Sequence, residues 1–94
     1  MIRLLLVDDE NLIRRGLKAL LKLEKDLEIV GEADNGQTAI DCIPTLKPDV
    51  ILMDIRMPIM DGVAATKEIT KAFPQIKILV LTTFADEVYV TQAL

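Results

Sequence analysis

The chain has no histidine and a single cysteine, Cys42, in 94 residues. Without histidine, the commonest metal ligand and the commonest general base are both missing, so any metal site must be built from carboxylates. One cysteine closes no internal disulfide. Positive charge is not in excess either: 11 Lys and Arg stand against 15 Asp and Glu, a net charge of -4. Nothing in that balance attracts the phosphate backbone of DNA or an anionic membrane. No apolar run approaches the length that spans a bilayer, and strand-like sequence begins at Ile2 with no basic, cleavable leader before it, so a cytoplasmic protein is expected. Repeats, low-complexity stretches and linkers are absent. The length admits one packed core, hence one domain or part of one.

What is present is an alternation. Short runs dense in Val, Ile and Leu are separated by longer stretches whose apolar residues recur at spacings of three and four, a βαβα pattern. Ile2–Val7 is the first strand, and its run Leu4–Val7 is apolar on both faces, as a central parallel strand covered by helices on each side would be. Residues 11–23 predict a helix with a stripe of Ile13, Leu17, Leu20 and Leu21, and with Arg14, Arg15, Lys18 and Lys22 toward water. Leu27–Ala33 alternates Leu27, Ile29 and Gly31 against Glu28, Val30 and Glu32, which suits a strand near a sheet edge. In residues 37–46 a second helix turns Ala39, Ile40 and Ile43 inward, and Pro44 should kink or shorten it. Residues 50–53 form the other central strand, which runs into Asp54. Asp61 and Gly62 read as a turn and an N-cap before a third helix, with Ala65, Ile69, Ala72 and Phe73 on one side and Pro74 beyond its end. Residues 78–81 are a fourth strand running into Thr82, and Asp86-Glu87 opens a fourth helix.

In an open parallel sheet, ligands bind beyond the carboxyl ends of the strands where the strand order reverses. Right-handed crossovers in a 2-1-3-4 order bring Asp8, Asp9, Asp54 and Thr82 to one rim. Three carboxylates crowded there repel one another when empty, and Mg²⁺, a hard cation with oxygen ligands, relieves the repulsion. Taken alone, Asp8 and Asp9 read as caps of the first helix. Asp54 shifts the balance, because a carboxylate directly after a buried apolar run has few structural reasons to be there. Thr82 is either a β-branched strand residue or a hydrogen-bond donor to a phosphoryl oxygen, and the residues alone leave both open. Cys42 reads as a small apolar packer, and Met53, Met57 and Met60 as core and loop filling.

Three blocks, LLLVDDE at 4–10, VILMDIRMPIMDG at 50–62 and ILVLTTF at 78–84, resemble the receiver domains of two-component response regulators. The resemblance is to the NarL/FixJ-like group in particular, whose outputs are helix-turn-helix DNA binders. It spans the whole chain, and each block falls on a strand end. It implies a flavodoxin-like, doubly wound parallel α/β sheet in the order 2-1-3-4-5. It also implies that Asp54 is the phosphoacceptor, Asp9 a direct Mg²⁺ ligand, Asp8 a ligand mostly through water, and the Arg56 backbone carbonyl a further ligand. By the same resemblance Thr82 hydrogen-bonds the phosphoryl group, Pro58 and Gly62 shape the loop, Thr83 borders the site, and the side chains of Arg56 and Phe84 tune how long the phosphoryl group survives.

A receiver of this kind takes its phosphoryl group from a sensor histidine kinase, catalyses little beyond its own modification, and reaches DNA only through an output domain. Receivers continue through a fifth strand, bearing a Lys that pairs with the phosphoryl group, and a fifth helix. No residue here matches that Lys, since Lys77 opens the fourth strand at the opposite end of the sheet. The expectation for residues 1–94 is therefore a receiver domain lacking the fifth strand and helix, without an output domain. The uncovered edge would favour a homodimer through strand four or helix four, or else the chain continues. Two rivals remain: a Mg²⁺-dependent phosphatase with an aspartyl-phosphate intermediate, which would carry a second acid where Arg56 stands, and an interaction module that keeps the fold and takes no phosphate.

Overall fold

A computed structural model describes residues 1–81. Along them run β1 (Ile2–Val7), α1 (Asn11–Leu21), β2 (Leu27–Ala33), α2 (Gly36–Leu46), β3 (Val50–Asp54), α3 (Gly62–Ala72) and β4 (Lys77–Leu81). Thr82, Thr83, Phe84 and the expected fourth helix lie outside the described residues. The strands form one parallel sheet in the order β2-β1-β3-β4, the order that the family resemblance implies. From β1 the chain steps one way to β2, and from there it steps back past β1 to β3 and β4. Right-handed crossovers then put α1 on one face and α2 and α3, which pack together, on the other.

The two faces are unequally sealed. Toward α2 and α3, Leu5 and Val7 of β1 and Ile51 and Met53 of β3 meet Ala39, Ile43, Ala65 and Ile69 in one buried cluster. Each large side chain so buried contributes about 1.5–3 kcal/mol. Toward α1, Leu4 and Leu6 are buried, but Val50 and Leu52 are only half-buried and Leu79 of the edge strand β4 is 58% exposed. So β1 is covered on both faces as expected, whereas β3 is fully covered on one.

The first helix departs from expectation. No residue of α1 is fully buried, Ile13 and Leu20 of the expected stripe are 43% and 66% exposed, and the half-buried residues are Arg14, Leu17, Lys18 and Leu21. That set has the same helical spacing, rotated toward the sheet edge. What draws it there is Glu32: its Oε1 accepts from Arg14 Nε at 3.1 Å and its Oε2 from Lys18 Nζ at 2.9 Å.

Glu32 faces α1 because β2 does not alternate cleanly. Leu4 pairs with Ile29 but Leu5 with Gly31, so Val30 is an extra residue that shifts the register. Beyond the bulge Gly31 and Ala33 pair with Leu5 and Val7, while Glu32 pairs with Leu6 on the α1 side. An unbroken strand would have turned Glu32 into the α2 layer. Instead Gly31 occupies that face, where an added Cβ would come within 2.5 Å of Leu46 Cδ1.

Other local expectations resolve simply. Pro44 neither shortens nor stops α2, which runs on to Leu46, and Lys47 closes it in the left-handed region at φ 48°. Arg3 donates to the carbonyls of Leu46 and Lys47 at 2.7 and 3.2 Å, covering acceptors that a helix end leaves open. Asn35 and Asp61 cap α2 and α3 by accepting from Thr38 N and Ala64 N, so Asp61 serves as the cap expected of it. Ala65 and Ile69 of α3 are buried and Phe73 is half-buried, but Ala72 is exposed.

The Lys18 hydrogen bond is the largest cause holding the Glu32 carboxyl below its ordinary range; burial opposes it, and the Arg14 hydrogen bond and the charges of both cations add to the lowering. A carboxyl depressed on folding stabilises the protein above its unfolded value, and that contribution fades as pH falls through the folded value. Glu32→Gln should therefore lower stability at about pH 7 and approach wild type at about pH 3. Urea melts of both proteins at the two pH values check this, and a stability gap that does not narrow on acidification rules out the ion pairs as its source.

Candidate metal centre

The register of the two central strands builds the site. Val7 pairs with Met53, so the next residue of each strand, Asp8 and Asp54, emerges side by side at the carboxyl rim. Carboxylate oxygens of Asp8, Asp9 and Asp54 all lie within 4.8 Å of one another. Asp8 is buried, Asp54 half-buried and Asp9 exposed, so the group runs from the sheet out to solvent. Asp8 Oδ1 accepts from Glu10 N at 2.8 Å and Asp54 Oδ1 from Ile55 N at 2.9 Å, which orients each carboxylate against its own backbone.

Helix capping does not account for the pair at 8 and 9. The residue at the N-cap position of α1 is Glu10, whose own side chain makes no capping hydrogen bond. Three hard anionic oxygens within reach of one cation, with solvent on one side, fit Mg²⁺, which keeps several waters and takes one or two carboxylates. Histidine and thiol ligands, which would favour a softer metal, are not among them.

The loop from Ile55 to Asp61 brackets Asp54. Ile55 is fully buried, Arg56 is exposed two residues beyond Asp54, and Ile59 sits in the left-handed region at φ 68° with its side chain 84% exposed. The loop is held at both ends of its return: Gly62 N donates to Ile55 O at 2.7 Å, and Gly36 N of α2 donates to Met60 O at 2.8 Å. A Cβ on Gly62 would lie 2.0 Å from Asp54 O and 2.8 Å from Ile55 Cα, so only glycine lets the start of α3 close against the Asp54 backbone. Pro58 lies in the same loop. The sequence spoke of Gly62 as a turn residue, and the closer role is steric.

Of the residues expected at the site, Asp8, Asp9 and Asp54 come together, Arg56 follows Asp54 by two residues in the loop, and Thr82 lies outside the described residues. Arg14 was expected in solvent. Its side chain is 15% exposed and its Nη1 donates to the backbone carbonyl of Asp8. The signal for it in the sequence is the spacing Arg14, Leu17, Lys18, Leu21 set against Glu32 of β2. Cys42 is half-buried, its thiol pushed up by burial, and it donates to Ala39 O, in keeping with a packing residue.

Residues 4–94 match the family model described as the response regulator receiver domain. The chain is 45% identical over 94 residues to the transcriptional regulatory protein LnrK of Bacillus subtilis, covering all of this chain and 43% of that protein. The response regulator domain of Thermotoga maritima CheB superposes with a TM-score of 0.86 at 36% identity, covering 99% of this chain and 72% of that one. The signal receiver domain of the putative regulator NarL from Mycobacterium tuberculosis gives 0.84 at 32% identity, covering 98% and 77%. The chain thus spans less than half the length of the curated relative. Among the described residues no helix is long and apolar enough to cross a membrane.

Gly62→Ala should destabilise the protein by more than about 2 kcal/mol, since overpacking here meets backbone and not a yielding side chain. Denaturant melts measure it. A near-neutral effect would mean that the α3 start does not abut Asp54.

Proposed function

The chain belongs to the response regulator receiver domain family, and from that premise we propose that it is a phosphoacceptor switch in which Asp54 takes a phosphoryl group from the phosphohistidine of a sensor histidine kinase, with Mg²⁺ required. The observation that carries this is the approach of Asp8, Asp9 and Asp54 to within 4.8 Å at the carboxyl rim of the sheet. A carboxylate oxygen of Asp54 attacks phosphorus in line, the phosphorus–nitrogen bond to the donor imidazole breaks, and the electron pair leaves with the imidazole, which takes up a proton. The product on this chain is an acyl phosphate. Asp9 and Asp54 would hold Mg²⁺ directly, Asp8 through water, and the Arg56 backbone carbonyl would complete the protein ligands. When bound, the ion offsets charge on the phosphoryl oxygens.

The protein's own groups do the rest. The Ile55 amide fixes one oxygen of Asp54, and the loop closed by Gly62 fixes the strand end from which Asp54 projects. Thr82 would donate to a phosphoryl oxygen. The chemistry is confined to the domain's own modification, so the output is a change in what the domain binds. In a cytoplasmic protein built like the transcriptional relative, that change would pass to a DNA-binding domain outside these residues, and a homodimer through strand four or helix four would be one form of it.

In the full-length protein, a small acyl phosphate should label Asp54 only when Mg²⁺ is present, and chelation should stop the labelling. Asp54→Asn, nearly isosteric and without the nucleophilic oxygen, should abolish it, and Asp9→Ala should remove Mg²⁺ binding in a calorimetric titration. Mass spectrometry of the peptide holding residue 54 reads the label. Label that persists on the Asn protein places the acceptor elsewhere, and wild-type protein that binds Mg²⁺ yet takes no label points to an interaction module that keeps the fold alone.

A further inference from the structure

Hydrogen bonds hold the backbone of the Asp8–Asp9–Glu10 segment on both sides of Asp9. Asp8 N donates to Ala33 O of β2 at 3.0 Å, and Glu10 N donates back to Asp8 Oδ1 at 2.8 Å. Between them, the Asp8 carbonyl accepts from Arg14 Nη1. That carbonyl belongs to the peptide unit joining Asp8 to Asp9, and the Glu10 amide belongs to the unit joining Asp9 to Glu10. The two planes flanking the Asp9 Cα are therefore each fixed by a hydrogen bond, and together they aim the exposed Asp9 side chain.

Arg14 can do this because it is itself held on its other nitrogens. Nη2 donates to Asn11 Oδ1 at 3.0 Å and Nε to Glu32 Oε1 at 3.1 Å, so one planar fork ties the turn, the first turn of α1, and β2. Glu32 is in place only through the register shift at Val30. From this we infer that Arg14, seated by Glu32, is a positioning residue for the metal site: it fixes the Asp8–Asp9 peptide so that Asp9 meets Asp54 at ligand distance. This rests on the Mg²⁺ site proposed above.

Charge and positioning predict opposite signs. A guanidinium near a site for a divalent cation repels that cation, so if Arg14 acted by charge alone, removing it would tighten Mg²⁺ binding and Arg14→Lys would change little. If it acts by holding the peptide, both Arg14→Gln and Arg14→Lys weaken binding, because neither side chain reproduces the three-way fork.

The test uses the full-length protein and two readouts. Mg²⁺ titrations followed by amide chemical shifts should give dissociation constants raised about tenfold for Arg14→Lys and Arg14→Gln, in the range of about 10–100-fold seen for partners of metal ligands. In metal-free protein, hydrogen exchange at the Glu10 amide should accelerate in both variants while the Ile51 and Met53 amides of β3 keep wild-type rates, separating a local release from general loosening. Unchanged or tighter Mg²⁺ binding in Arg14→Gln overturns the inference, as does unchanged exchange at Glu10. Wild-type protein that binds no Mg²⁺ overturns the metal site itself, and accelerated exchange at Glu10 would then leave Arg14 as a clamp on a turn with no metal to serve.

Discussion

The pairing of Val7 with Met53 is the constraint on which the site depends. Once β1 and β3 lie in that register, their buried apolar residues run out at the same level, and the residue that follows in each is an aspartate. Two unit charges about 4 Å apart near a protein surface oppose each other by about 4 kcal/mol. Against that stands the burial of Leu5, Leu6, Val7, Ile51 and Met53, each contributing about 1.5–3 kcal/mol. The core outweighs the repulsion, so the sheet forms with its acids in place. A cation held between the carboxylates, as proposed, would relieve the unfavourable contact without moving the strands, and that is the physical content of a carboxylate metal site.

How much of this could be read beforehand follows from what periodicity reports. The four strands and three helices of the described residues were legible because apolar runs and helical stripes record which residues meet a core, whereas the sheet order came from the family resemblance. Asp8, Asp9 and Asp54 were legible as well, since a charge directly after such a run is conspicuous. The orientation of α1 was not. Its stripe could be drawn through Ile13 and Leu20 or through Arg14 and Leu21 with equal spacing, and the choice was made by Glu32, a residue on another element. Glu32 in turn depended on a bulge at Val30, and a single extra residue leaves no mark in a pattern of period two. The Arg56 carbonyl is a backbone group, so no side chain could signal it, and only the resemblance to a family suggested it. Gly62 was noticed as a turn residue, but the reason it must lack a Cβ is the carbonyl of Asp54, eight positions earlier in the chain.

The two halves of the site hang from opposite faces of the sheet. Asp54 is steadied from the α2 and α3 side, where Gly62 closes the loop against its backbone and Gly36 ties Met60 to α2. Asp8 and Asp9 are steadied from the α1 side, through Arg14 and the carboxylate of Glu32. The layer behind Asp54 is densely packed, whereas α1 has no fully buried residue and lies on the face where Leu52 and Leu79 are incompletely covered. Local stability follows buried apolar contact, so α1 is the more easily displaced of the two supports. Any shift of α1 along the sheet is carried by the Arg14 fork to the Asp8–Asp9 peptide while Asp54 stays with the other layer. The distance between Asp9 and Asp54, on which a bound cation depends, is thus set by how two independently packed layers sit on one sheet. On the proposed site, anything that binds one layer and shifts it would alter the spacing of the carboxylates, and by the same linkage a cation bound between them would bias the packing of α1.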